Sequence, residues 1–294
     1  MADPQRPSSL ARIWALVIAL LLGLSAAILY VLLLPPTAAP PRTPAAPPRA
    51  APGRPPEPEP PPAPSGPRAA LLFDDMGYDD AALDRLLATK RQFSFAVLPE
   101  APQAAAAAAK ILAAGHDLLV HLPCEPVKAA HMKPGVPFLT VDLDATELTR
   151  RAEAMIDSVP GAIGANNHMG SRFTAQASAV RVLLAVVQRR GLFFVDSLTS
   201  KDSVAFAVAQ ELGVPSARRD VFLDDDPAGD AVTRQLGQLE RLARDRGAAL
   251  AIGHPRPATL AAVERWITEG AGGLIMVPVS QLTAPPRSDR MPIP

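Results

Sequence analysis

Acidic and histidine side chains follow several short apolar segments of this sequence, and side chains of these types bind divalent metal ions and transfer protons. Asp74 and Asp75 come directly after one apolar run. One of them can bind a metal while the other accepts a proton, and their proximity is expected to separate their pKa values. His121 and His254 also end apolar segments, and His168 follows another one closely. Imidazole nitrogen suits Zn²⁺ and related ions, so this combination is typical of a metal-assisted hydrolase.

These side chains must be positioned by short strands that alternate with amphipathic stretches. Strands alternating with helices predict βα units and a mainly parallel sheet. The number of units fits an incomplete or distorted (β/α) barrel, and a doubly wound open sheet is the alternative. In both folds ligands bind where the strands end, at their carboxyl edge. The predicted strands are 69–73, 93–98, 117–121, 162–165, 192–195, 221–223, 250–253 and 274–277. The predicted helices are 80–89, 101–114, 145–158, 175–188, 203–212, 230–246 and 258–269.

Further polar residues follow the predicted strands. Glu125 lies four residues after His121 and is a second possible metal ligand. The run from 166 to 174 is dense in hydrogen-bonding groups, which are costly to bury without partners or a ligand. We therefore predict that Asn166, Asn167 and Ser171 contact substrate. An ordinary polar turn is the simpler interpretation of that run.

Composition excludes several classes of function. Lysine and arginine balance aspartate and glutamate, and the formal net charge of zero argues against a broad nucleic-acid surface. The sequence has neither a G-x-G-x-x-G nor a P-loop motif, so a nucleotide cofactor has no support. Cys124 is the single cysteine. An internal disulfide is therefore impossible, and a thiol enzyme built on Cys124 is the weaker alternative to a metal hydrolase.

The amino-terminal part differs from the rest of the chain. Residues 13–34 contain no charge and are long enough to cross a bilayer as a helix. Because Arg6 and Arg12 precede this segment, the positive-inside rule places residues 1–12 in the cytoplasm. We expect a single-pass signal anchor in the cytoplasmic membrane. The following domain would then face the periplasm or the cell exterior.

Proline is concentrated in one segment after the predicted anchor. Residues 35–67 hold 16 of the 34 prolines and have no apolar period, which predicts a disordered, extended linker. A fully extended linker of this length would reach about 100 Å. It would lead into one domain at 68–283, followed by a loose tail at 284–294. A substrate within this reach is a cell-envelope polysaccharide rather than a soluble metabolite.

The ordered motifs resemble those of the polysaccharide deacetylases of the NodB-homology type, and in particular their divergent, YibQ-like branch. The resemblance covers about residues 69–282. It rests on short motifs at the ends of successive predicted strands. These motifs are Asp74-Asp75-Met76-Gly77, His121-Leu122-Pro123-Cys124-Glu125-Pro126, Asn166-Asn167-His168-Met169-Gly170-Ser171, Asp196-Ser197, Arg219-Asp220-Val221-Phe222-Leu223-Asp224 and Gly253-His254-Pro255.

This resemblance implies a distorted (β/α) barrel and a divalent metal, usually zinc, that assists removal of N- or O-acetyl groups from sugars. Asp74 matches the general base, and Asp75 and His121 match two metal ligands. Glu125 stands where the family has its second histidine ligand. The resemblance therefore makes His168 the expected third ligand, with Glu125 in reserve.

The resemblance also assigns the remaining roles. His254 matches the general acid, Asp196 resembles the carboxylate that tunes it, and Arg172 resembles the arginine that orients the base. The departure at Glu125 leaves a second class of function open, a catalytically inactive glycan-binding or envelope-scaffold protein. A phosphatase with an aspartate nucleophile is a third interpretation, but it leaves the three strand-end histidines unexplained.

Overall fold

The computed structural model describes residues 66–283, except 227 and 229. The predicted anchor at 13–34, nearly all of the predicted linker at 35–67 and the predicted tail at 284–294 lie outside the described residues. Within the described part, no helix combines the length and the apolar character needed to traverse a membrane.

One curled, parallel sheet organises the described residues. Its nine strands are β1 (Arg68–Met76), β2 (Ser94–Val97), β3 (Asp117–Cys124), β4 (Gly164–Met169), β5 (Phe193–Asp196), β6 (Ser216–Arg218), β7 (Val221–Phe222), β8 (Ala248–Gly253) and β9 (Ile275–Met276). The strand order is β6-β5-β4-β3-β2-β1-β8-β7, and β9 pairs with β1. Every pairing is parallel.

The two edges of this sheet must lie close together. The edge strands β6 and β7 are separated by only Arg219 and Asp220, a connection that spans at most about 11 Å. Arg219 N donates to Asp196 O on β5, and Asp220 N donates to Leu250 O on β8. The sheet therefore curls into an incomplete barrel, and these two residues join its open edges.

Amphipathic helices cover the outside of the sheet. They are α1 (Asp80–Ala88), α2 (Ala104–Ala113), α3 (Ala145–Asp157), α4 (Ala177–Arg189), α5 (Ala205–Leu212), α6 (Ala231–Arg246) and α7 (Pro257–Thr268). The main core lies between the helices and the outer face of the strands, where Leu71 and Phe73 of β1 are fully buried. Alternate residues such as Ala70 and Leu72 belong to a second, inner cluster, as the two-residue period of a strand requires.

The amino-terminal end of the barrel is closed by the last described segment. A short 3₁₀ turn at Val279–Leu282 follows β9. Val279 N donates to the Ser94 hydroxyl at 2.9 Å, and Ser280 N donates to the Asp117 carboxylate at 2.8 Å. This segment fills the amino-terminal end of the barrel. The cavity that a ligand can enter lies at the opposite edge, where the strands end.

The prediction of an incomplete barrel is confirmed: the fold is a parallel-strand α/β half-barrel. All eight predicted strands and all seven predicted helices are present among the described residues. The strands β1, β3 and β4 continue three to four residues further than predicted. Asp74 and Asn166 therefore lie within strands and not after them, and His121 is not the last residue of its strand. The short edge strand β6 was not predicted, because its sequence, Ser-Ala-Arg, is not an apolar run.

Candidate metal centre and active site

A β-bulge at the end of β1 turns two consecutive carboxylates toward one place. The pairing with β2 runs in register at Phe73 and shifts before Met76, and Asp75 has a φ of +58°. In a regular strand neighbouring side chains point to opposite faces, whereas a bulge redirects one of them. Asp74 and Asp75 consequently both approach His121, at 3.5 and 3.3 Å from its Nε2.

Three side chains present their ligand atoms to one another at nearly equal distances. Asp75 Oδ1 lies 3.3 Å from His121 Nε2 and 3.0 Å from His168 Nδ1, and the two nitrogens are 3.2 Å apart. Three ligands of a tetrahedral zinc ion, each about 2.0–2.1 Å from the metal, are about 3.3 Å apart. Asp75 Oδ1 is buried and accepts no well-formed hydrogen bond. This convergence fits a site for a divalent cation.

Asn166 determines which nitrogen of His121 is available. Its side-chain amide donates to Asp74 Oδ1 at 2.8 Å and to the Ser197 hydroxyl at 3.1 Å. With both amide hydrogens committed, Asn166 Oδ1 must be the acceptor facing His121 Nδ1 at 2.8 Å. In its neutral form His121 then carries its proton on Nδ1, and the lone pair of Nε2 points toward Asp75 and His168. Such partners commonly orient metal-binding histidines.

The electrostatic field of the site attracts cations. Burial by itself would lower the pKa of His121, but the charges of Asp74 and Asp75 raise it to about 9. Burial raises the pKa of Asp74, although the nearby His121 and His254 oppose this. The buried carboxylate of Asp74 and the half-buried carboxylate of Asp75 thus create a negative potential that a proton or a metal ion can relieve.

A second ion pair lies on the other side of the cluster. His254 Nδ1 is 3.0 Å from Asp224 Oδ1, and Asp224 also accepts hydrogen bonds from His254 N and the Thr259 hydroxyl. Burial by itself would lower the pKa of His254, but Asp224 and the more distant Asp75 and Asp74 raise it. His254 Nε2 lies 3.7 Å from Asp75 Oδ2. The imidazole therefore presents Nε2 to the cluster of possible metal ligands, Asp75, His121 and His168, while Asp224 holds Nδ1.

The carboxylate beside His254 is Asp224 and not Asp196, which corrects the expected pairing. Asp196 is fully buried and accepts hydrogen bonds from Leu198 N, the Ser203 hydroxyl and Phe206 N near the start of α5. Asp224 follows a predicted strand, as Asp74 and Asp196 do, so the same strand-end signal could have identified it.

Glu125 and Arg172 form a pair with each other, away from the roles expected of them. Arg172 Nη1 donates to Glu125 Oε1 at 2.7 Å, and Val141 N donates to Glu125 Oε2 at 2.8 Å. Both oxygens of Glu125 thus accept hydrogen bonds, and the structure does not bring them to the three possible metal ligands. Arg172 binds Glu125 and does not contact Asp74, so it cannot orient that carboxylate directly.

The predicted substrate-contacting residues differ in exposure. Asn166 and Asn167 are buried. Asn167 donates to Met169 O and accepts from Ser197 N, which connects the ends of β4 and β5. The Ser171 hydroxyl accepts from Val127 N. Asn167 and Ser171 line a cavity of about 330 Å³, and the possible metal ligands and His254 line the same cavity. Asn166 is not among the residues that line it. Asn166 thus acts as a positioning residue.

Cys124 is buried, and burial raises the pKa of its thiol. We expect the folded protein to resist alkylation by iodoacetamide at neutral pH, because the thiolate is the reactive form. After unfolding in urea, one cysteine per chain should react, which mass spectrometry detects. Rapid alkylation of the folded protein would instead reopen the thiol-enzyme interpretation.

Comparisons with known proteins match the described domain. The family described as divergent polysaccharide deacetylase matches residues 71–283. An uncharacterized protein of Haemophilus influenzae is 39% identical over 200 residues, covering 67% of this chain and 70% of that protein. The Escherichia coli protein YibQ, also uncharacterized, is 32% identical over 222 residues, covering 76% of this chain and 69% of YibQ.

A solved structure agrees with this match. The crystal structure of an uncharacterized protein from Agrobacterium tumefaciens superposes with a TM-score of 0.68 at 25% identity, covering 74% of this chain and 89% of that chain. The family match spans most of the chain, and both sequence relatives cover two thirds of it or more. The chain therefore belongs to the divergent polysaccharide deacetylase family.

Proposed function

We propose that this protein is a metal-dependent hydrolase that removes N- or O-acetyl groups from a cell-envelope polysaccharide. The observation that carries the proposal is the triangle of ligand atoms from Asp75, His121 and His168, with Asp74 and His254 beside it. The triangle supplies a place for a cation, and the two flanking groups supply a proton acceptor and a proton donor. Metal-assisted hydrolysis of an amide or ester uses these three components together.

Zinc is the ion that the donor set suits, because two imidazole nitrogens and one carboxylate oxygen leave a fourth position open. When bound, such an ion would act as a Lewis acid that activates water and polarises the acetyl carbonyl. The chain's own contribution is to hold the ligands in place. Asn166 fixes the tautomer of His121, and the bulge of β1 directs Asp75 to the cluster.

Asp74 is the proton acceptor in this proposal. Asn166 holds Asp74 Oδ1, so that Oδ2 lies on the side of His121. Burial raises the pKa of Asp74, and a more basic carboxylate is a better general base near neutral pH. Asp74 accepts the proton of the attacking water.

His254 is the proton donor to the leaving amine or alcohol. Asp224 holds Nδ1 and raises the pKa of the imidazole, which favours the protonated form. The proton on Nε2 faces the cavity and can pass to the leaving atom. Asp74 lies in β1 and His254 directly follows the neighbouring strand β8, so both groups reach the same cavity.

The cell-envelope substrate rests on the amino-terminal sequence. A charge-free segment at 13–34 followed by a proline-rich linker favours a single-pass anchor in the cytoplasmic membrane. The domain would face the periplasm or the cell exterior, within reach of acetylated envelope polysaccharide. Protease accessibility of the domain in intact spheroplasts tests this placement.

The proposal is tested by metal analysis of the purified full-length protein together with acetate release from envelope glycans. We expect about one divalent ion per chain and zinc-dependent release of acetate. Absence of a bound ion after zinc addition contradicts the proposal. Glycan binding that survives H121A and H254A, without acetate release from any glycan tested, instead identifies a non-catalytic glycan-binding protein.

A comparison of D224A with D196A tests which carboxylate serves His254. We expect D224A to lower acetate release by about 100-fold or more, because general acid catalysis is worth at least that much. Both variants should lower the free energy of unfolding, since each buried donor that loses its partner costs about 1–3 kcal/mol. Only D224A should lower the turnover of the folded protein, because Asp196 does not contact His254. Thermal unfolding and turnover per folded molecule separate the two effects. Full turnover in folded D224A would remove Asp224 from its assigned role.

A further inference from the structure

One side of the active-site cavity carries positive side chains that the proposed mechanism does not use. Arg219 and Arg256 both line the cavity, together with Phe222 and Ile252. The carboxylates among its described lining residues are Asp74 and Asp75, which the proposal assigns to proton transfer and metal binding. The remaining charged lining is therefore cationic.

Arg219 is held rigidly without an ion pair. Its Nε and Nη2 donate to Ser197 O and Leu198 O, each at 2.6 Å. Its guanidinium lies over the ring of Phe222 at 4.6 Å, a favourable cation–π distance. Asp225 is the carboxylate that acts most strongly on Arg219 electrostatically. Among the described residues, no carboxylate oxygen lies within 4.0 Å of the Arg219 guanidinium, the distance limit for a salt bridge.

Arg256 is arranged in a similar way. Its Nη1 donates to Asp224 O at 2.7 Å, and its side chain is otherwise exposed. Within the described part of the chain, Arg256 also has no carboxylate within 4.0 Å. Backbone carbonyls thus accept hydrogen bonds from Nε and Nη2 of Arg219 and from Nη1 of Arg256. The other N–H groups of both side chains remain available to a ligand.

Both guanidinium groups contact residues that themselves contact His254. The Phe222 ring under Arg219 packs against the His254 ring at 5.6 Å between centroids. Asp224, whose carbonyl accepts from Arg256, holds His254 Nδ1 through its carboxylate. If His254 protonates the leaving atom, these contacts place the two arginines close to the leaving sugar.

We infer that this cavity binds an anionic sugar, whose oxyanion, a carboxylate or a phosphate, is held by Arg219 and Arg256. The inference rests on the proposed deacetylation, since it concerns the sugar from which acetate leaves. A guanidinium presents parallel N–H donors that match the oxygens of carboxylate and phosphate. Such a group would supply the direct carboxylate or phosphate contact that Arg219 and Arg256 lack among the described residues, although Asp225 and Asp74 act on Arg219 from a longer distance.

The test compares related sugars that carry this charge or lack it. N-acetylmuramic acid is paired with its methyl ester, and N-acetylglucosamine 6-phosphate is paired with N-acetylglucosamine. Binding to the zinc-loaded, full-length protein is measured by calorimetry at constant ionic strength. We expect the charged member of at least one pair to bind about tenfold more tightly, the effect of one charge-assisted hydrogen bond. The pair that shows the preference identifies the anion.

Two variants separate the arginines from the general attraction of the metal for anions. R219Q and R256Q should each reduce the preference for the charged sugar severalfold, while binding of the neutral sugar changes little. R256Q alters an exposed side chain and should fold normally, even if R219Q disturbs the Ser197 segment. R218Q is the matched control. Arg218 is the neighbouring residue, but it lines a different cavity and stacks on Phe206. The R218Q protein should therefore prefer the charged sugar as strongly as the wild type does.

The inference is overturned if charged and neutral sugars bind equally, or if neither R219Q nor R256Q changes the preference. Failure of the proposed deacetylation has a different signature. The preference for the charged sugar and its loss in the variants would persist, but no acetate would be released from any glycan. If Arg219 acted only by supporting Asp74, R219Q would lower acetate release without changing the binding preference, which would remove Arg219 from the proposed anion site.

Discussion

D74N is expected to bind metal normally and to lose acetate release by about 10²–10⁴-fold, the usual contribution of a general base. Asparagine has nearly the same shape as aspartate, and its carbonyl oxygen can still accept the hydrogen bond that Asn166 donates to Asp74 Oδ1. The fold and the ligand triangle should therefore persist. The amide cannot accept the proton of the attacking water, so the loss should appear in kcat. Metal content and acetate release, measured on the same sample, check both statements.

The matched control for this variant is D84N, which removes a carboxylate from the exposed face of α1. Asp84 pairs with Lys110 at the surface, and exposed pairs contribute little to stability. We expect wild-type turnover in D84N. Retained turnover in D74N would remove Asp74 from its assigned role, whereas loss of metal in D74N would assign it to the ligand set.

H121A is expected to abolish stable metal binding. His121 provides one corner of the ligand triangle, and it is almost fully buried between Asp74, Asp75 and Asn166. Loss of a partner that only orients a ligand typically costs 10–100-fold in metal affinity, so loss of the ligand itself should cost more. Competition with a chromogenic zinc chelator measures the affinity. N166A should show the smaller, 10–100-fold effect, because Asn166 orients His121 without touching the metal.

H116A is the matched control, because it makes the same substitution at a histidine outside the site. His116 packs against Phe95 and accepts a hydrogen bond from Phe93 N, so the change affects the core and not the ligands. We expect H116A to keep wild-type zinc affinity even if its melting temperature falls. Equal zinc affinity in H121A and the wild type would rule out the proposed ligand set.

Local patterns in the sequence were sufficient for the elements of the fold and for the composition of the site. Short, mainly apolar runs of three to six residues identified the strands, because a buried parallel strand is apolar on both faces. The same runs showed that Asp74, Asp75, His121 and His254 lie near strand ends. Parallel strands bring such positions to one edge, and the structure brings these residues together.

Other features of the site depend on backbone detail that apolar periodicity does not encode. The bulge at Asp75 places two consecutive carboxylates on one side, where strict strand alternation would have separated them. The continuation of β4 to Met169 turns a predicted loop into a strand. Asn166 consequently lies opposite His121 in the sheet register and positions it, in place of the substrate contact expected from a loop residue.

The sequence by itself determined the alternation of strands and helices and the residue types available for metal binding and proton transfer, because both are local properties. Only the tertiary structure decided which of these residues are partners. Asp196 ends β5, which pairs with β4 and β6, whereas Asp224 follows β7, which lies beside β8 and His254. Strand order arises from packing between distant segments. The choice of Asp224 over Asp196, and the pairing of Arg172 with Glu125, therefore could not be read from spacing along the chain.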